Sequence, residues 1–426
     1  MAYTLIKGRF QIHYPDAPRS GPQPDGDTLR FEPDQSALVE SLRRRGRGAN
    51  FNARGFISVR FEAIDALETH FSGSHQPHAP ALAARDAMLA AAGYTTVEFH
   101  PDAQTVARAE PLAPRGYLLA RTLDPHGRVV AFVFAGEAAE ADGAQLCLRS
   151  ERARQSVNAQ LIDAGLVYPS FYDTLPTDLR EALAAVAVAA RAAGRGLWPD
   201  AEATPARPAR IASAAAVREG VIFPKLFRRL TDYFATGSTR LAGFDAWLRA
   251  VPGERDDMIV FPPLQFGHLH DLVRVEGDSL RLTRQPEEFV IIDSPETWRS
   301  ALEEPGCGPE QAPAVAPGDL LIVAALPDPI GADLGAETVT LLNTRAAHLD
   351  LAGLRLRDDD GGAGMPLAGV LAAGETLRVT LDARVRLGNQ GDVIQLVAAD
   401  GQVLDTVSYT ADEIASGRTR VFGRSQ

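Results

Sequence analysis

Cysteine is nearly missing, with two in 426 residues, Cys147 and Cys307. So low a count excludes a disulfide framework and any multi-cysteine metal site, and each thiol reads as a small buried hydrophobe. Long apolar runs are missing too. No stretch approaches the ~20 apolar residues of a membrane span. The opening Met-Ala-Tyr-Thr-Leu-Ile-Lys has neither the charged start nor the apolar core of about 7–15 residues that a signal peptide needs. A cytoplasmic protein with no membrane association is expected. Lysine is scarce in the first 200 residues, where the basic side chains are almost all arginine, the residue suited to bidentate phosphate contacts.

What is present describes a soluble globular chain, 45% hydrophobic and 23% charged. Its length predicts two or three domains. The net charge of −12 argues against a general polyanion binder. The acid is uneven, however. Residues 1–200 hold 21 Lys/Arg against 23 Asp/Glu, whereas residues 318–426 hold 9 against 15. The first half is therefore the better candidate for contact with nucleic acid.

Two Pro/Ala-rich stretches, Asp200 to Arg210 and Gly306 to Gly318, read as linkers. They divide the chain into residues 1–200, 211–305 and 316–426. In the first part, strand patterns over 26–31, 56–64, 94–100, 117–122 and 129–134 alternate with helical ones over 80–92, 156–164 and 177–193. That order predicts a small barrel with helices packed on it. In the middle part, Phe223, Leu226, Phe227, Leu230 and Phe234 recur at helical spacing and read as core. A hairpin over 272–282 follows, giving a mixed α/β connector of unknown role. The last part alternates apolar and polar residues between Gly/Asp/Asn turns, which predicts a β-sandwich. The expected fold class is multidomain and mainly β.

The chemistry concentrates between Asp27 and Arg128. Asp27 lies in Asp25-Gly26-Asp27-Thr28, where a glycine turn leads into a strand. Asp65 and Glu68 lie in Ile64-Asp65-Ala66-Leu67-Glu68-Thr69, beyond the strand that begins near Phe56. Two carboxylates at neighbouring strand ends make half of a hard-cation site, and their mutual repulsion is a reason to expect a metal between them. Arg60 and Arg128, the latter after Asp124-Pro125-His126-Gly127, can each fork onto a phosphate oxygen. Glu68 is placed to orient an attacking water. Arg43, Arg44, Arg45 and Arg47 offer either substrate-backbone contacts or a solvated loop. Tyr168, Phe171 and Tyr172 are candidates to stack bases, with core packing as the competing use. His268 and His270, two apart, have a spacing open to metal binding, but no third ligand motif accompanies them, which favours a satisfied structural pair.

This set, in this order, resembles the staphylococcal nuclease (thermonuclease) family over roughly residues 9–200. Val157-Asn158-Ala159-Gln160-Leu161-Ile162-Asp163-Ala164-Gly165-Leu166 and Ala193-Gly194-Arg195-Gly196-Leu197-Trp198 extend the likeness. The resemblance implies an OB-type five-stranded barrel with three helices and a calcium-dependent nuclease acting on DNA or RNA. It implies Asp27, Asp65 and the Ala66 carbonyl as Ca2+ ligands, Glu68 as general base, and Arg60 and Arg128 as phosphate clamps. Three departures stand out, one being the long Asp27–Asp65 connection that carries Arg43, Arg44, Arg45 and Arg47. Ala66-Leu67 replaces the family's Thr-Pro, and Pro125-His126 replaces its Lys-Tyr. The alternative is a catalytically inactive nucleic-acid-binding or scaffold protein on a nuclease-like barrel.

The carboxy-terminal part resembles the lamin tail domain, an immunoglobulin-like sandwich. The resemblance rests on Glu337-Thr338-Val339-Thr340-Leu341-Leu342-Asn343, Leu387-Gly388-Asn389-Gln390-Gly391-Asp392 and Leu404-Asp405-Thr406-Val407-Ser408-Tyr409. It implies binding or anchoring, and the acidic balance favours a protein partner over direct DNA contact.

Overall fold

A computed structural model describes residues 2–423, other than 45, 102–103, 252–255, 262–264, 293–314, 332–334, 346–348, 359–361, 363 and 399. Arg45 and most of the second expected linker lie outside the described residues. The chain forms two units, residues 1–308 and 309–426.

The first unit is built on five strands: β1 (Tyr3–Gln11), β2 (Thr28–Pro33), β3 (Ile57–Phe61), β4 (Arg115–Leu123) and β5 (Val129–Ala135). β1 pairs antiparallel with both β2 and β4; β2 pairs with β3, and β4 with β5. β3 and β5 run parallel, with Val59 opposite Val129, which closes the barrel. Closure leaves no unpaired edge. β1 was not read from sequence as a strand. Both its faces are largely buried, so it lacks the alternation that marks a strand with one wet face. Three helices, α1 (His78–Ala91), α2 (Val157–Asp163) and α3 (Thr177–Ala192), pack buried faces into the same core as Phe10, Phe31 and Phe132. Asn158, fully buried on α2, accepts from the Val133 N–H at 2.9 Å and donates to the Glu62 and Ala131 carbonyls. It ties the helix to the parallel strand pair.

The middle segment is not a separate connector. Helix α4 (Pro224–Ala235) begins with proline at its first turn, where the missing N–H costs nothing. Its stripe Leu226, Phe227 and Leu230 is buried, as the spacing predicts. The surrounding core also includes Leu67, Tyr168, Trp198 and Ala201 from the first 201 residues. The expected linker at 200–210 is packed as well: Ala201, Ala203 and Ala209 are buried, and Glu202 donates its N–H to the Val221 carbonyl at 2.8 Å. A Pro/Ala composition suggests slack, but alanine buries readily against a preformed surface. Cys147 corrects a second expectation, being exposed where a buried hydrophobe was expected. Among the described residues no helix is long and apolar enough to cross a membrane.

The second unit is a sandwich of two four-stranded sheets. One carries Leu320–Leu326 and Thr338–Asn343 at its centre, the other Arg355–Arg357 and Gly391–Val397. Ile322, Leu341, Leu356 and Ile394 are fully buried in a core of its own. Two buried polar side chains are satisfied there. Asp405 accepts from the Ile322 N–H at 2.7 Å, and Asn343 donates to the Leu371 and Ala372 carbonyls at 3.0 and 2.9 Å.

Candidate functional site

Three neighbouring barrel strands bring the first site residues together. Thr28 lies opposite Arg60 across β2 and β3, and the Phe61 N–H donates to the Asp27 carbonyl at 2.9 Å. Because β3 and β5 are parallel, Arg128 arrives at the start of β5 beside the same region. Along β3, Ile57, Val59 and Phe61 are buried while Ser58 and Arg60 are only partly so. That period of two turns Arg60 away from the core.

Asp65 and Glu68 come from the chain just beyond β3. Asp65 pairs across from Tyr168 in a short antiparallel bridge of strands. Gln76, fully buried, braces the rest of the loop: its Oε1 accepts the Glu68 N–H at 3.2 Å and its Nε2 donates to the Ile222 carbonyl at 2.8 Å. The turn at Asp25 comes close enough that only glycine fits, since a Cβ on Gly26 would lie 2.5 Å from the Ala66 Cβ and 2.9 Å from the Ala84 Cβ. Ala66 donates its N–H to Asp27 Oδ2 at 3.2 Å. Asp25, Asp27, Arg60, Asp65, Glu68 and Arg128 line one cavity of about 540 Å3.

Negative charge is crowded here. Burial pushes the Glu68 carboxyl up to about 7; the Arg228 guanidinium opposes this, and Asp65 and Asp27 add to it. Asp25 is also held well above the usual carboxylate range, by burial first and then by Asp27 and Glu68. The two arginines are positioned by partners. Asp124, itself buried, accepts from Arg128 Nε at 2.6 Å and from the N–H groups of His126 and Arg128, both at 2.9 Å. The Arg60 guanidinium lies 4.4 Å from the Tyr172 ring centroid, a cation–π contact.

Three expected stackers divide. Tyr172 lines the cavity, but Tyr168 and Phe171 are core residues, 1% and 0% exposed. Tyr168 also spends its hydroxyl on the Val221 carbonyl at 3.0 Å. Both are packed in by the rest of unit 1, so no base can stack on them here. Arg43 and Arg44 are exposed and pair with Thr122 and Leu123. Arg47, also exposed, donates its N–H to the Pro125 carbonyl at 3.4 Å, which puts this loop against the turn that lines the cavity.

Arg228 is the residue that sequence reasoning missed. It projects from α4 into the cavity, where Nη1 and Nη2 bond Asp65 Oδ1 and Oδ2 at 3.1 and 2.7 Å, and Nη1 also bonds Glu68 Oε1. Lys225, one turn earlier, lines the same cavity and pairs with Asp257 at 3.0 Å. Lys225, Arg228 and Arg229 opposite the apolar stripe mark a basic helix face in the sequence. Nothing there names the acids that Arg228 meets, 163 and 160 positions away.

Asp25, Asp27, Asp65 and Glu68 offer carboxylate oxygens to the cavity, a chemistry that fits a hard divalent cation such as Ca2+. Asp65 and Glu68 are ion-paired with the Arg228 guanidinium. Residues 313–411 match the Lamin Tail Domain family, so the sandwich of the second unit is a lamin tail domain. No curated protein matches the chain.

Proposed function

We propose that residues 1–308 form a metal-dependent phosphodiesterase that cleaves DNA or RNA, on an OB-type barrel of the staphylococcal nuclease kind. The lamin tail domain would serve partner binding or anchoring. One observation carries the reading: Asp27, Arg60, Asp65, Glu68 and Arg128, chosen from sequence for this chemistry, line a single cavity.

Asp27 and Asp65, with the Ala66 carbonyl, would hold the cation, which supplies charge compensation for the scissile phosphate when bound. The remaining work falls to the chain itself. Glu68 accepts a proton from water as the water oxygen bonds phosphorus. Arg128, fixed by Asp124, and Arg60, held against Tyr172, donate to the phosphoryl oxygens as the bond to the leaving oxygen breaks. The exposed Arg43, Arg44 and Arg47 extend a positive path for the nucleic-acid backbone beyond the cavity.

The test is to incubate the full chain with single- and double-stranded DNA and RNA in calcium, magnesium or chelator. Cleavage should require the cation, and Glu68→Gln should slow it by ~10²–10⁴-fold, the scale of a lost general base. Cleavage that survives chelation, or an unimpaired Glu68→Gln variant, overturns the reading. A second reading has one observation in its favour. Arg228 already neutralises Asp65 and Glu68, as expected of a barrel that binds nucleic acid without cutting it. Binding of these substrates with no cleavage in any cation would select it.

A further inference from the structure

A second cluster lies in the middle segment, among residues that do not line the cavity. Asp256, His268 and His270 bring ligand atoms within 4.8 Å of one another. The pair His268 and His270 is visible in sequence, but its third member is not. The hairpin in which Met258 pairs with His268 folds the chain back and returns Asp256 to the histidines.

The arrangement is built rather than incidental. Asp256 is 2% exposed, and its Oδ1 accepts the His270 N–H at 2.9 Å. Its Oδ2 meets His270 Nδ1 in a short hydrogen bond. The other ring nitrogen, Nε2, lies 3.0 Å from Asp271 Oδ1. The His268 ring stacks on that of His270 with centroids 5.5 Å apart and planes 7° from parallel.

We propose that Asp256, His268 and His270 bind a divalent transition-metal ion of the zinc class, with Asp271 as the group that orients His270. Two imidazoles and one carboxylate are a ligand set that zinc accepts, leaving one position for water. Nitrogen donors favour such ions over calcium. A ligating histidine characteristically donates its second ring N–H to a carboxylate, and Asp271 is in place to receive it. Binding replaces the hydrogen bond between Asp256 and His270 with coordinate bonds. It also exchanges the cap that His268 provides to the Asp271 N–H for a coordinate bond. This assignment is independent of the nuclease reading, because the acids proposed to hold the other cation, Asp27 and Asp65, lie elsewhere and offer oxygen donors.

Cobalt titration of the full chain tests it, since nitrogen-containing four-coordinate cobalt absorbs strongly in the visible and an all-oxygen site does not. We expect one equivalent to develop that band, zinc to abolish it, and zinc to raise Tm. The band should persist in Asp65→Asn and be lost in His268→Gln and His270→Gln. An absent band together with an unmoved Tm in the parent chain overturns the proposal, whether or not the variants fold. So does a band unchanged in both histidine variants.

Discussion

As the proposed base, Glu68 carries two demands that conflict. A base must be ionised to take a proton, yet burial and its acidic neighbours hold this carboxyl near 7. The sign of the resulting pH effect follows from which state keeps the proton. The folded chain holds it up to about 7, whereas the unfolded chain releases it near the ordinary value of 4.5. Across that window the folded state binds more protons, so this group's contribution to stability falls as pH rises and levels off above 7. In chelator, Glu68→Gln should gain on the parent by ~1–3 kcal/mol between pH 4.5 and 7.5. Urea midpoints at the two pH values measure it; parallel profiles for parent and variant would deny Glu68 this role. Asp25 stands beside it as an acid that sequence reasoning quoted but did not assign. Its buried turn against Ala66 is a tertiary fact, and the turn itself looks like any solvated one.

Leu67 shows how an element can change its use. The Ala66-Leu67 departure suggests a loosened loop when read against proline, but Leu67 is fully buried among side chains of the middle segment. It gives the loop a hydrophobic anchor in place of a stiff ring. Leu67→Ala should cost about 2–5 kcal/mol and lower the Tm of the first unit, measured by calorimetry. A change within error would mean that the loop is held by Gln76 alone. At this scale the sequence was legible wherever periodicity was clean, as along β3, α1 and the buried stripe of α4. It failed at β1, buried on both faces, and at 200–210, where alanine-rich chain packs instead of linking. The partners of Arg228 and Asp256 were illegible for a further reason, since hydrogen bonds between distant segments leave no local pattern.

The whole molecule should unfold in two steps. Within the first 308 residues, Leu67, Tyr168 and Trp198 share one hydrophobic core with Phe223, Phe227 and Ile291 of the middle segment, whereas the sandwich has a core to itself. Calorimetry of the full chain should resolve one transition shared by barrel and middle segment, and another that residues 309–426 reproduce alone. Separate melting of barrel and middle segment would contradict the shared packing. Arg228 then has a kinetic consequence. In the proposed nuclease, a cation that must enter where a guanidinium is already bonded waits for that group to leave, so turnover should begin with a lag. Mixing the chain with calcium before substrate should remove the delay, and Arg228→Gln should start at full speed in either order of addition. Simultaneous addition that gives a linear time course from the first seconds in the parent chain would mean that the guanidinium yields its place without hindrance.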